Sequence, residues 1–346
     1  MSYKVKGAPW DYPGVKHVQN CKTAADVMSA AGLDWEVDKC EVYAAMNNFG
    51  ERSDINDGFI KNGIQFKTIP NGYATYRCDT NEPLGLVKGK YTPVQNVDAF
   101  NFFDNAIGTN KAIWDTAGFF GKGERIFVSA KLPKTVIIGG KDPVDNYLVF
   151  TNSHDGSSGV KILYTPIRIV CQNVLSSAIR HASSYISFRH TKSVHSKIDI
   201  ANEILGICKK KIDVVDETFQ YLEKKKVTDI DVQKYFTDII LTSDEKTRLE
   251  YTGHTIKQLL LKDGETIEDS GISTRKVNIL SEMYDYYLTG VGQHDFRGTA
   301  WGAYNAVTGY YSNVHNMEDD KRMQSLLYGT AANKIKEVGH KLLEIA

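Results

Sequence analysis

The chain lacks long hydrophobic runs. Nowhere do about eighteen uninterrupted apolar residues occur, which is the length that a membrane-spanning helix requires. Lys4 and Lys6 lie near the start, but no apolar segment follows them, so a secretory leader is not expected. We therefore expect a protein of the cytoplasm with no membrane partner.

Paired cysteines and phosphate-binding loops are also missing. The five cysteines are odd in number, widely separated and never arranged as C-x-x-C, which argues against a disulfide framework and a zinc ribbon. Neither G-x-x-x-x-G-K-[ST] nor G-x-G-x-x-G occurs, which argues against a nucleoside-triphosphatase or dinucleotide-binding fold. The sequence predicts no cofactor and no catalytic residue.

Net charge is absent as well, since 42 Lys and Arg residues balance 42 Asp and Glu residues. A general basic excess, as many nucleic-acid-binding proteins have, is thereby excluded, and such binding would need a local patch. From Lys161 to Lys226 there are about twelve basic and about six acidic residues, whereas acidic residues outnumber basic ones from Thr242 to Leu288. The charge is segregated along the chain.

Hydrophobic residues make up 42% of the chain, which is enough for a large core. Alternation from Ile126 to Leu132 and β-rich runs at Asn146 to Thr151 and Val160 to Val170 predict antiparallel hairpins. The turn at Pro70 to Gly72 predicts another hairpin, and Pro166 limits its strand to an edge position or an irregular conformation. Thr23 and Gly32 fit the two ends of a short helix.

The second half has helical periodicity. Apolar residues recur in three- and four-residue steps from Ile198 to Leu222, as in the seam of a long helix or a helical pair. Such a seam pairs between chains as readily as within one, so a homo-oligomer is a possible assembly. We predict an α+β protein with a mixed core at 1–190, a helical insertion at 191–290, and C-terminal helices at 291–346 that pack back on the core.

Basic residues on both sides of the strand-to-helix junction form a candidate nucleic-acid-binding surface. Lysine and arginine neutralise phosphates, and exposed aromatic rings stack on unpaired bases. The alternative is a solvated helix face for the lysines and simple packing for the aromatics. The candidate residues are Arg125, Lys131, Arg168, Arg180, Arg189, His190, Lys192, Lys197, Trp301 and Tyr304.

A second hypothesis is a metal-dependent hydrolase that acts on a nucleotide or a nucleic acid. The dipeptide His154-Asp155 supplies an imidazole and a carboxylate, the ligands that hold a water-activating divalent ion in such enzymes. Its predicted position in a hairpin turn argues against this, because Asp155-Gly156 is also an ordinary turn signal.

Several segments resemble the phage/plasmid-like protein family, a group of unknown function found on phages, prophages and plasmids. The segments that carry the resemblance run from Tyr91 to Asn96, Gly121 to Leu132, Asn152 to Gly159, Thr165 to Asn173, Arg189 to Thr191 and Thr299 to Val307.

The resemblance implies a mobile-element protein that resides in a bacterial host cell, and it supplies no catalytic residues. The order of a basic β-hairpin followed by a helix is also similar to single-strand annealing proteins of the Rad52 type. We therefore expect a DNA-binding protein for recombination, replication or repair, with single-stranded DNA as a possible partner. A third hypothesis is an interaction module that inhibits a host defence protein through its helical surface.

Overall fold

The computed structural model of the protein describes residues 4–46, 58–98, 100–101, 112–175, 185–190 and 201–345. Antiparallel strands dominate the chain as far as Phe188, and helices dominate it from Ala201 onward. The predicted α+β class is confirmed. None of the helices in these ranges is both long and apolar enough to span a membrane.

The first helix shows how local sequence sets its bounds. The Thr23 side chain accepts a hydrogen bond from the Asp26 amide, and Asp26 accepts one from the Thr23 amide in return. Gly32 ends the helix at a φ of 63°, a left-handed conformation that glycine adopts without strain. Helix α1 thus spans Ala24–Ala31, as predicted.

An eight-stranded antiparallel sheet forms the main β-layer. Its order is β1-β6-β7-β9-β10-β11, with β12 also paired to β10 and β8 to β9. The predicted central hairpin is confirmed as β9 and β10. The strands are β1 (Lys16–His17), β6 (Ile113–Phe120), β7 (Arg125–Lys131), β8 (Val136–Ile138), β9 (Asp142–Ser153), β10 (Val160–Arg168), β11 (Asn173–Val174) and β12 (Tyr185–Phe188).

Of the two predicted alternatives for the strand of Pro166, the edge position is wrong. On one side β10 pairs with β9 from Lys161 to Arg168. On its other side β12 pairs with residues 160–163 and β11 with residues 167–168. The proline falls between these two short partners, so a strand with neighbours on both sides accommodates a residue that has no amide hydrogen.

A four-stranded antiparallel sheet has the order β2-β4-β3, with β5 paired to β4. Its hairpin turn is Asn62-Gly63, where φ is 53° and 78°, as a two-residue type I′ turn requires. The predicted turn at Pro70 to Gly72 is wrong, because these residues form an irregularity inside β4. The strands are β2 (Val37–Met46), β3 (Gly58–Lys61), β4 (Ile64–Arg77) and β5 (Pro83–Lys88).

The helical half begins with a 24-residue helix and continues with shorter ones. A capping box of Thr228 and Asp231 starts the second of these helices. The helices are α2 (Ala201–Lys224), α3 (Asp229–Ile240), α4 (Ser243–Tyr251), α5 (Ile256–Leu260), α6 (Gly264–Ser270), α7 (Thr274–Thr289), α8 (Ala300–Gly309), α9 (Asp319–Leu327) and α10 (Thr330–Ile345).

The described part of the predicted helical seam packs inside the chain. Ile212, Val215, Phe219 and Leu222 are buried, and the Phe219 ring lies 4.7 Å from the Trp301 ring of α8. One hydrophobic cluster includes Phe150 of the sheet together with these residues. The seam therefore joins α2 to the core, while the division of the chain at residues 190 and 290 stays a prediction.

We expect Phe219→Ala to lower the free energy of unfolding by about 3–5 kcal/mol, since it leaves a cavity between α2 and α8. Val214→Ala on the same helix is the matched control, because Val214 is exposed, and it should cost about 0.5 kcal/mol or less. Urea unfolding followed by tryptophan fluorescence measures both changes. Equal costs for the two variants would contradict the packing of the seam.

Candidate nucleic-acid interface

A groove of about 740 Å³ lies where the two sheets meet. Strands β4 and β5 form one wall, and the β9–β10 turn with the residues after β12 forms the other. The lining residues are Val42, Ile69, Gly72, Tyr73, Leu86, Val87, Lys88, Lys90, Tyr91, Gly156, Ser157, Ser158, Gly159, Arg189 and His190.

Close backbone contacts hold the two walls together. A β-carbon on Gly85 would lie 2.5 Å from the α-carbon of Asp155, so only glycine allows β5 to approach the turn this closely. The Thr75 hydroxyl of β4 donates a hydrogen bond of 2.6 Å to the carbonyl of His154. Within the second wall, a β-carbon on Gly159 would lie 2.3 Å from the Phe188 carbonyl oxygen, so glycine also lets the turn pack closely against the end of β12. These contacts fix the width of the groove.

The charged residues that line the groove are all basic. Lys88 and Lys90 project from the end of β5, and Arg189 projects from the opposite wall; all three are exposed. Among the described residues that line the groove, none is acidic. Cations on both walls create a positive potential between them, which attracts a polyanion.

A third lysine, Lys39, orders the segment that carries Lys88 and Lys90. The ammonium of Lys39 donates hydrogen bonds of 2.8 Å to the carbonyls of Gly89 and Tyr91. It also lies 4.9 Å from the centre of the Tyr73 ring, within the range of a cation–π contact. Lys39 thus holds the backbone of the segment that carries the two exposed lysines of the groove, Lys88 and Lys90.

His190 forms part of the groove wall with its polar atoms unused. Its ring is 6% exposed and stacks on Tyr91 at 4.5 Å, and the Tyr91 hydroxyl donates to the Ser153 carbonyl. Neither ring nitrogen has a hydrogen-bond partner in the described part of the chain. Burial lowers the pKa of His190 to about 4, so the imidazole is neutral at pH 7 and offers one donor and one acceptor.

The predicted basic residues are distributed over different surroundings. Arg189 and His190 lie in the groove, whereas Arg125 pairs with Asp320 at 2.7 Å and with Asp155 at 3.4 Å. Lys131 pairs with the Asp145 carboxylate. Of the predicted residues that the structure describes, two therefore line the groove. Three others, Arg180, Lys192 and Lys197, lie outside the described residues.

Three of the predicted contact residues are buried in the fold and do not line the groove. The Arg168 guanidinium is 1% exposed, and its Nε donates to Asp142 Oδ2 at 2.6 Å. The Trp301 indole donates to the same carboxylate oxygen at 2.8 Å, and Tyr304 is likewise fully buried. A buried arginine requires a carboxylate partner. Arg168 and Trp301 therefore join the sheet to α8 through the shared Asp142 carboxylate.

His154 and Asp155 do not resemble a metal site. His154 is fully buried and shares a hydrogen bond of 3.0 Å with the Asn96 side chain. The Asp155 carboxylate accepts hydrogen bonds from the side chains of Ser153 and Arg125. Within the described ranges, no three His, Cys, Asp or Glu residues are placed to hold a metal ion. Both residues instead fix the turn that forms one wall of the groove.

Sequence reasoning missed Lys88, Lys90, Tyr73 and Tyr91. The alternation of Val87, Lys88 and Lys90 at the end of a short strand was a usable signal for exposed cations. No local pattern could have indicated that this strand end faces Arg189, which lies about one hundred residues further along the chain.

The chain belongs to the family described as "Domain of unknown function (DUF932)", whose profile matches residues 83–332. No curated protein and no solved structure matches it. The match includes Lys88, Lys90, Tyr91, the β9–β10 turn and Arg189, but not strands β2 to β4. Most of the groove is thus built from the part of the chain that defines the family.

The buried His154 predicts a loss of stability in acid. Burial is the main reason why its pKa in the folded protein is lowered to about 3, from 6.5 for the free side chain. Between these values the unfolded chain binds a proton that the folded chain does not, so stability falls as the pH falls below about 6.5. From pH 7.5 to pH 5 we expect His154 to account for about 2 kcal/mol of the loss.

His154→Gln should reduce the difference in unfolding free energy between pH 7.5 and pH 5 by about this amount. Urea titrations at the two pH values measure it. His294→Gln is the control, because the His294 ring is fully exposed, and its pH dependence should match that of the parent. An unchanged pH dependence in His154→Gln would show that the imidazole is not buried in its neutral form.

Proposed function

We propose that this chain binds nucleic acid along the groove and serves DNA recombination, replication or repair in a phage or plasmid, without itself catalysing a reaction. The observation that carries the proposal is the charge of the groove. Lys88, Lys90 and Arg189 line it from two walls, and none of the described lining residues is acidic.

A groove with this charge pattern favours the phosphate backbone over the sequence of bases. Each lysine or arginine that contacts a phosphate releases condensed counterions, which supplies affinity that does not depend on sequence. Because the cations project from opposite walls, a strand that lies between them is contacted on both sides. This arrangement favours non-specific binding, as expected of a protein that handles DNA during strand exchange or annealing.

The link to mobile elements rests on the resemblance to the phage/plasmid-like family. Three of the segments that carry it contribute residues to the groove: Tyr91 to Asn96, Asn152 to Gly159 and Arg189 to Thr191. The proposed site and the family resemblance therefore coincide on the same part of the surface. An annealing activity of the Rad52 type, and the homo-oligomer it would need, are extensions of this proposal.

The two other hypotheses have less support. A hydrolase would need His154 available to a metal ion, but that ring is buried and bonded to Asn96. An interaction module is expected to use the apolar seam of the long helix and a broad helical surface, and the described seam residues from Ile212 to Leu222 pack inside the chain. No other observation favours either function.

Binding of a labelled single-stranded oligonucleotide should weaken steeply with salt. With three phosphates contacted, the slope of log affinity against log salt is about −2, at about −0.7 per contact. The triple variant Lys88→Gln, Lys90→Gln, Arg189→Gln should remove most of this slope and most of the affinity. Fluorescence anisotropy titrations at several salt concentrations measure both, and mass analysis of the same sample gives the oligomeric state.

The matched control is Lys234→Gln, Lys257→Gln, Arg275→Gln, which removes the same charge from exposed positions on the helical half. Its affinity and salt slope should stay close to those of the parent. Equal losses of affinity in the two triple variants would show that the oligonucleotide binds outside the groove or responds only to the total charge of the protein. Absence of binding at low salt would overturn the proposed function.

A further inference from the structure

Charged side chains lie at the mouth of the groove, and apolar side chains lie deeper inside it. Lys88, Lys90 and Arg189 are exposed at its mouth, whereas Val87 and His190 are 8% and 6% exposed. Cations alone would suffice to bind phosphates. The apolar side chains and the unused imidazole nitrogens below them fit a ligand with a second, flat and uncharged part.

We propose that the groove receives one unpaired nucleotide of a single strand, with its base between the apolar wall and His190, while the phosphates of this nucleotide and its neighbours along the strand lie at the three cations of the mouth. This inference rests on the proposed function and specifies the form of nucleic acid that the groove selects. A duplex is disfavoured because its bases are stacked and paired, and taking one out costs free energy.

The dimensions of the groove agree with this occupant. Its volume of about 740 Å³ lies within the range of pockets that enclose small organic ligands. The wall contains Val42 and Val87 and the ring of Tyr73, against which a planar base can pack. A phosphate ion alone would leave this surface in contact with water.

His190 supplies the polar contact for the base. A neutral imidazole has one N–H donor and one nitrogen acceptor, and both atoms are buried without a partner within the described residues, so the base reaches them when it displaces the side chains around the ring. A buried polar atom without a partner is costly, so a ligand that satisfies it gains affinity. Base edges carry donors and acceptors side by side. The stack on Tyr91, whose hydroxyl is fixed by the Ser153 carbonyl, holds the imidazole plane in place.

The test compares two single strands that share a backbone and differ in bases. One is a twelve-residue thymidine oligonucleotide, and the other is its abasic counterpart with the same number of phosphates. We expect the full-length protein to bind the thymidine strand about tenfold more tightly, from stacking and hydrogen bonding of the base. A duplex of the same length should bind no more tightly than the abasic strand.

His190→Phe removes both ring nitrogens and keeps a flat ring against Tyr91. It should lower the preference for the thymidine strand by about fivefold, the value of one lost hydrogen bond, and leave the affinity for the abasic strand unchanged. Lys88→Gln should weaken binding of both strands by similar factors, because it removes a phosphate contact. The two variants thus separate recognition of the base from recognition of the backbone.

Equal affinities of the parent protein for the thymidine and abasic strands would overturn the inference and leave the proposed function intact. A preference that His190→Phe does not alter would also overturn it, because the base would then bind away from this ring. Binding of neither strand would instead remove the proposed function itself.

Discussion

The close approach of β5 to the turn between β9 and β10 is the constraint on which the site depends. Gly85 lies against the backbone of Asp155, and the Thr75 hydroxyl holds the carbonyl of His154. These contacts join the small sheet to the large one beside the groove. The groove is the space that remains beside this junction, so its walls and its width follow from how the two sheets meet.

His154 shows how a titratable residue can serve this junction without taking part in chemistry. Its side chain is buried beside Trp35 and hydrogen-bonded to Asn96. Its backbone carbonyl accepts a hydrogen bond from the Thr75 hydroxyl. The turn is thereby tied to three other parts of the chain. Its neighbour Asp155 binds the Ser153 hydroxyl and the Arg125 guanidinium, which closes the turn from the other side.

The helical half is attached to the sheet by a different interaction. Asp142 of β9 accepts hydrogen bonds from Arg168 of β10 and from Trp301 of α8, deep in the molecule. Removing one partner of such a buried pair leaves an uncompensated charge, which costs about 3–5 kcal/mol. This explains why basic and aromatic residues that look like ligand contacts in the sequence have a structural role.

Periodicity predicted what depends on neighbours along the chain. The helix from Ala24 to Ala31, the hairpin of β9 and β10 and the capping box at Thr228 all follow from local rules of spacing and turn chemistry. The α+β class followed from the same rules. Burial was harder to predict. The local sequence around an arginine on a strand does not show whether its side chain is exposed to solvent or buried against a carboxylate.

The candidate site could be predicted only in part for the same reason. Arg189 and His190 were identified, but Lys88, Lys90 and Tyr91 come from a strand almost one hundred residues earlier and face them only in the folded chain. The turn at Pro70 to Gly72 was mispredicted because its residues favour a turn, while Asn62-Gly63 fits the two-residue hairpin geometry better. Long-range contact, which no single sequence pattern encodes, decided both outcomes.

The most direct test of the central claim is to photocrosslink a single strand that contains 4-thiothymidine to the protein and identify the attached residues by mass spectrometry. The account predicts attachment on the groove, at Tyr73, Tyr91 or neighbouring residues of the β9–β10 turn. Attachment confined to the helices from α3 to α7 would contradict it.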